Sequence, residues 1–259
     1  MTWKNLSLEH SPVTLLAVNR PEHRNAIDFS TMDELEEVLN ILETDGGLRA
    51  LVLTGGGDTF ISGGDLKSFQ VLTTAEDGQR MAERMGSILT RLSRLPVPVI
   101  AAINGPAIGG GTEVALACDL RVAAATAYFS FRQITMGIMT AWGGAPRLLS
   151  LIGFSRALYY LLTAERVTAD QALQMGLVQR VVPAGQAVDG ALELARQIAS
   201  QPPLAVRAIK QTLQRILGLP FDSATAVEVE TFAQVWASAD HEEAVRAYFE
   251  KRSPVFHGR

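Results

Sequence analysis

Two stretches of the chain set glycines beside a carboxyl group. "AIGGGTEVALACDL", Ala107 to Leu120, places three consecutive glycines before Glu113, and "DTFISGGDLKSF", Asp58 to Phe69, places Gly63 and Gly64 before Asp65. Each follows an apolar, strand-like run and opens into a helical pattern. Each therefore delivers unhindered N–H groups at or near a helix start, where donors are unpaired and the dipole favours negative charge. Two converging N–H groups form an oxyanion hole, and a carboxyl group beside one of them can move protons. A lone glycine triplet is better explained by close packing of a strand against the next helix. The second occurrence of the pattern shifts the balance towards chemistry.

Other chemistries fit less well. A phosphate-binding Walker loop ends in Lys followed by Ser or Thr, whereas "GGGTE" has Glu113 where a cation is needed. Neither glycine run has the dinucleotide spacing with an acidic residue about twenty positions on. His10, His23, His241 and His257 lie outside both loops, and no G-x-S-x-G elbow occurs. Ser62 reads as a small loop residue and Cys118 as a buried small hydrophobe. No cluster has metal-ligand spacing, so no metal is expected.

The formal net charge is −4, without a basic run interleaved with aromatics, so a nucleic-acid partner is not expected. No apolar stretch is long enough to span a membrane, and Met1 to Asn5 lack the basic and apolar regions of a signal peptide. The single cysteine fits a reducing compartment, with the cytoplasm as the default.

These loops need a scaffold. "WKNLSLE" and "VTLLAVN" flank "HSP" and read as a β-hairpin. From Ser30, the spacing of Met32, Leu35, Val38, Leu39 and Leu42 predicts a helix, with Ser30 or Thr31 as its cap. "LRALVLTGGG" and "PVPVIAAING" read as buried strands, and a longer helix is predicted over roughly Asp77 to Leu95. "LRVAAA", "YFSF" and "GLVQRVVP" supply further strands. Beyond them the Pro202-Pro203 pair precedes three helices, near Leu204 to Leu217, Asp222 to Ser238 and His241 to Lys251. The reading is an α/β chain of stacked β-β-α units over residues 1–200, followed by a helical region over 201–259.

Taken together, the loops resemble those of the crotonase, or enoyl-CoA hydratase/isomerase, superfamily. "TFISGGDLKSF", "PVIAAINGPAIGGGTEVALACDLRVA", "MGIMTAWGGAPRLLSLIG", "ADQALQMGLVQRVVP" and "AYFEKRSPVF" occur in that family's order. The resemblance implies a ClpP-like spiral core carrying the CoA and active sites, a C-terminal helical region that trimerises, and a homotrimer or dimer of trimers. It also implies that the N–H groups of Gly64 and Gly110 hold the thioester oxygen of an acyl-CoA. Ser62, Gly63, Asp65, Leu66 and Lys67 would line the CoA path, with Arg24 and Ala26 of "RNAID" near the nucleotide. Trp142 would lie near the acyl group, with Phe131, Ile134 and Met139 as further candidates, and Lys251 would reach the phosphates. Coenzyme A would be part of the substrate, and no separate cofactor is implied.

The chain departs from that pattern at one decisive position. Hydratases of this family place a second glutamate where this sequence has Gln133. Glutamine can orient a water but cannot accept its proton, so Glu113 would act alone. Isomerases that depend on the second glutamate are disfavoured. Two lyase reactions stay open. One is hydratase-like addition of water to a 2-enoyl-CoA. The other is decarboxylation of a methyl- or ethylmalonyl-CoA type substrate, which yields an enolate without a base. "TTAEDGQRMAERMGSILTRLSRLP" and "MGIMTAWGGAPRL" resemble ethylmalonyl-CoA decarboxylase-like members. A CoA-binding scaffold without turnover is the alternative outside enzymology.

Overall fold

The computed structural model describes residues 3–259. Its centre is a six-stranded sheet in the order β1, β2, β3, β4, β6, β9. β1 (Leu6–Glu9) and β2 (Val13–Val18) form the predicted antiparallel hairpin, and the other pairings, through β3 (Ala50–Gly55), β4 (Val99–Ile103), β6 (Leu120–Ala124) and β9 (Arg180–Val182), are parallel. Every residue of β3 and β4 is buried, which explains why these strands are continuously apolar. A second sheet of β5 (Ala107–Ile108), β7 (Tyr128–Ser130) and β8 (Val167–Thr168) lies beside it.

The chain visits the sheets in a spiral, and helices fill the turns. α1 (Phe29–Thr44) buries the predicted stripe Met32, Leu35, Val38, Leu39 and Leu42. Its cap is Asp28, two residues before the predicted Ser30; the carboxylate accepts from the Thr31 N–H at 2.7 Å. The helical period does not distinguish among neighbouring polar residues, and Asp28 was selected by its second partner, Arg20. α2 (Leu66–Phe69) is a single turn. α3 (Ala75–Arg94) starts two residues before the prediction, behind a capping box of Thr74 and Asp77. α4 (Gly110–Ala117), α5 (Gly144–Ile152), α6 (Phe154–Thr163) and α7 (Ala169–Gln174) follow, and α8 (Ala187–Ala199) packs across β3, β4 and β6.

Beyond α8 come α9 (Pro203–Ile216), α10 (Phe221–Trp236) and α11 (Ala239–Glu250). α9 is tied to the sheet by Lys210, whose ammonium donates to Asp119 at 2.6 Å and to the Val97 carbonyl at 2.8 Å. Ile209, Leu213, Phe232 and Trp236 stand exposed on α9 and α10. No helix among the described residues is long and apolar enough to cross a membrane.

Candidate active site

The first glycine loop is held by polar side chains from a neighbouring turn. Asn25 is fully buried in the left-handed region, where an asparagine is better tolerated than most residues. Its amide donates to the carbonyls of Gly56, Thr59 and Phe60. Arg20, also buried, bridges Asp28 at 2.8 Å and Asp65 at 3.2 Å and donates to the Ala26 carbonyl. Asp65 caps α2 through the N–H groups of Lys67 and Ser68. Burial pushes the Asp65 carboxyl up, but the Ser68 N–H, Arg20 and the Lys67 N–H outweigh it and hold the group below its ordinary range. One guanidinium therefore fixes the starts of α1 and α2 together.

Backbone pairing completes the loop. The Ile27 N–H donates to the Gly63 carbonyl and the Asp65 N–H to the Ile27 carbonyl, each at 2.8 Å. This parallel bridge leaves the Gly64 N–H, between them, without a backbone acceptor. The Ser62 N–H donates to the Arg24 carbonyl, which brings the two predicted CoA segments side by side.

The second loop docks against the first. Ile108 N–H donates to Ile61 at 3.0 Å, and Gly109 N–H to Ser130 at 2.9 Å. Gly110 then opens α4, and its N–H is one of those with no acceptor within the helix. At Gly63, where φ is +106°, a Cβ would lie 3.1 Å from the Gly110 nitrogen. At Gly111 a Cβ would meet the Ile61 carbonyl oxygen at 1.8 Å. The glycines thus admit backbone against backbone, and two unspent N–H groups, Gly64 and Gly110, flank one junction.

Glu113 stands one turn into α4 and is only 2% exposed. Its Oε2 accepts from the N–H groups of Trp142 and Gly144, each at 2.8 Å, at the start of α5. Its Oε1 accepts from the Gln133 amide nitrogen at 3.0 Å. Burial raises the Glu113 pKa above its ordinary value, against the lowering pull of these donors. The Gln133 carbonyl oxygen and the Thr140 hydroxyl are both buried without a partner. An unpartnered buried polar atom costs about 1–3 kcal/mol, so two of them on the segment that wraps Glu113 mark a place for a polar ligand.

Trp142 is 4% exposed, and its indole lies against Gly110: a Cβ there would fall 2.2 Å from the ring. The indole N–H donates to the Met81 sulfur of α3 at 3.3 Å. Core packing and a place beside the candidate site are therefore both true of this residue. Of its predicted companions, Phe131 is buried, whereas Ile134 and Met139 are 42% and 72% exposed. The short 3-10 turn Arg132–Met136 carries Gln133 inward and Ile134 outward, and Met139 lies beyond that turn.

Leu66 and Lys67 are exposed on the one-turn helix. Lys251 is not within the last helix but follows it as its left-handed C-cap, exposed and without an ion pair to the glycine loops. Arg20, Asn25, Met81 and Thr140 were missed from the sequence. Asn25 alone carried a local signal, as an asparagine in a turn; the others depend on partners far away in the chain. Among the described residues no group of His, Cys, Asp and Glu could hold a metal ion.

The sequence model of the enoyl-CoA hydratase/isomerase family matches residues 9–259. The chain is 36% identical over 254 residues to a short-chain-enoyl-CoA hydratase of Clostridium acetobutylicum, covering 97% of each. It is also 36% identical over 245 residues to the ethylmalonyl-CoA decarboxylase of Gallus gallus, covering 93% of this chain and 82% of the relative. The fold superposes on an enoyl-CoA hydratase crystal structure from Bacillus anthracis with a TM-score of 0.95 at 33% identity, covering 99% and 100% of the two chains. With its spiral of paired glycine loops and matches over nearly its whole length, the chain belongs to the enoyl-CoA hydratase/isomerase family of the crotonase superfamily.

Proposed function

We propose that this crotonase-superfamily lyase stabilises the enolate of an acyl-CoA thioester between the N–H groups of Gly64 and Gly110, and that its reaction is hydratase-like. Oxyanion donors of this kind are worth about 3–4 kcal/mol each in catalysis. Water adds to C3 of a 2-enoyl-CoA, Glu113 takes the water proton, and a proton is delivered to C2 as the enolate collapses. Coenzyme A arrives as the substrate's own handle along Ser62, Gly63, Asp65, Leu66 and Lys67, and no separate cofactor is required.

The Gln133 amide carries the choice of hydration. One of its two N–H donors is bound to Glu113, and its carbonyl oxygen is buried and unpartnered. Such an oxygen accepts from a water or hydroxyl and repels a carboxylate. Gln133 therefore orients the water while Glu113 alone exchanges its proton, which makes the enzyme slower than one with two carboxylates by a factor of up to about 10²–10⁴.

The raised pKa of Glu113 favours a second reading, decarboxylation. A protonated Glu113 can donate to Gln133, turning the amide so that its nitrogen faces a substrate carboxylate, and can then protonate the carbanion left by loss of CO2. The similarity to the Gallus gallus decarboxylase accords with this reading. Crotonyl-CoA, a 3-hydroxyacyl-CoA and methyl- and ethylmalonyl-CoA, assayed together for CO2 and acyl products, separate the two. Efficient CO2 release without hydration would overturn the first reading. Retained CoA affinity with no turnover on the whole panel would leave a binding scaffold.

The exposed apolar faces of α9 and α10 support assembly as a homotrimer or dimer of trimers. Lys251 would then serve the phosphates of a bound CoA from a neighbouring copy. Cys118 is buried, and burial pushes its thiol up to about 12, which suits a structural thiol in the cytoplasm.

A further inference from the structure

The acyl group of a thioester held at Gly110 must pass Glu113, because that carboxyl has to reach C2 and C3. Trp142 spans the same gap: its backbone N–H is bound to Glu113 while its ring covers Gly110. The residue is held at ring and backbone. Gly110 lies beneath the ring, Met81 of α3 holds the indole N–H, and the Trp142 carbonyl accepts from Arg147 at 3.0 Å. An indole so anchored cannot turn aside without moving α3 or releasing Glu113. Gly110 could carry no side chain under it, so the ring and the glycine form one fitted surface.

We propose that Trp142, backed by Met81, is the residue that determines acyl-chain length, an end wall that admits short acyl groups and excludes longer ones. The proposal rests on the thioester oxygen binding at Gly64 and Gly110 and goes beyond it by assigning the substrate class. Acyl carbons past C3 meet the indole and, behind it, Met81 of α3. Removing the indole extends the pocket towards α3; removing the Met81 side chain lets the indole retreat without touching Gly110 or Glu113.

The test is calorimetric binding of CoA, acetyl-CoA, butyryl-CoA and octanoyl-CoA to the wild type and to Trp142→Ala, Trp142→Phe and Met81→Ala. Saturated thioesters make the readout independent of turnover, and circular dichroism selects the folded variants. In the wild type, affinity should fall by at least tenfold from butyryl- to octanoyl-CoA. Trp142→Ala and Met81→Ala should restore octanoyl-CoA binding, by up to roughly fourfold for each methylene that gains a buried place, and Met81→Ala should leave acetyl-CoA within about twofold. Trp142→Phe should give an intermediate profile. Equal wild-type affinity for butyryl- and octanoyl-CoA, or a length profile unchanged in the folded variants, overturns the wall while leaving the oxyanion site in place. Failure of every thioester to bind better than free CoA overturns the oxyanion site and the wall with it.

Discussion

At the scale of single residues, the proposed function turns on Glu113 and its neighbours. Glu113→Gln should lower kcat by roughly 10²–10⁴-fold with little change in CoA affinity, measured by steady-state kinetics and calorimetry. The pH profile gives a sign. Burial raises the Glu113 pKa, and a base must be ionised, so hydration should rise with pH along an acidic limb displaced above the ordinary carboxylate range. Decarboxylation with Glu113 as acid would instead fall through that limb. Stability runs the other way. A native pKa above the unfolded value means that Glu113 contributes stability below the unfolded pKa, and that this is lost as pH rises through the native one. Glu113→Gln should therefore melt no lower than the wild type at pH 7, and a marked drop in melting temperature would show that the carboxylate's bonds to Trp142 and Gly144 outweigh its burial. The types of Glu113 and Gln133 were legible from the sequence, twenty positions apart; the direct bond between them was not.

At the scale of elements, the same kind of residue has different duties in adjacent positions. Gly111→Ala drives a methyl group into the Ile61 carbonyl, which is backbone and cannot yield. Gly110→Ala drives it into the Trp142 ring, a side chain. The first should destabilise the junction of the two loops and lower the melting temperature. The second should displace the anchored indole, lowering the melting temperature as well and abolishing thioester binding, as circular dichroism melts beside calorimetry would show. Elements far apart are joined by the Lys210–Asp119 pair, in which burial pushes Lys210 down and Asp119 up while their mutual attraction opposes both shifts. Lys210→Ala leaves Asp119 without its partner and should cost about 3 kcal/mol in denaturant titration. Helical and strand periods announced most of these elements. They could not announce α2 as a single turn, because its length is set by Asp65 and Arg20 and not by an apolar stripe.

At the scale of the whole molecule, Leu213 and Phe232 are each 60% exposed on the facing helices α9 and α10, and burying such side chains contributes about 1.5–3 kcal/mol apiece. Mass measurement should give a trimer or a multiple of it, and Leu213→Glu with Phe232→Glu should shift the population towards monomer; a stable wild-type monomer would contradict the assembly. The sequence by itself determined the α/β class, the two glycine loops, the first hairpin, the C-terminal helices and the position of Glu113 behind the second loop, because apolar period and backbone freedom are local properties. Only the tertiary structure decided that Gly63, beside Gly64, packs on Gly110, that Gln133 turns its oxygen outward from Glu113, and that Trp142 closes over Gly110 with Met81 behind it. Those depend on contacts between residues up to 61 positions apart, whose geometry is fixed by packing and hydrogen bonding around the sheet and not by any neighbour in the chain.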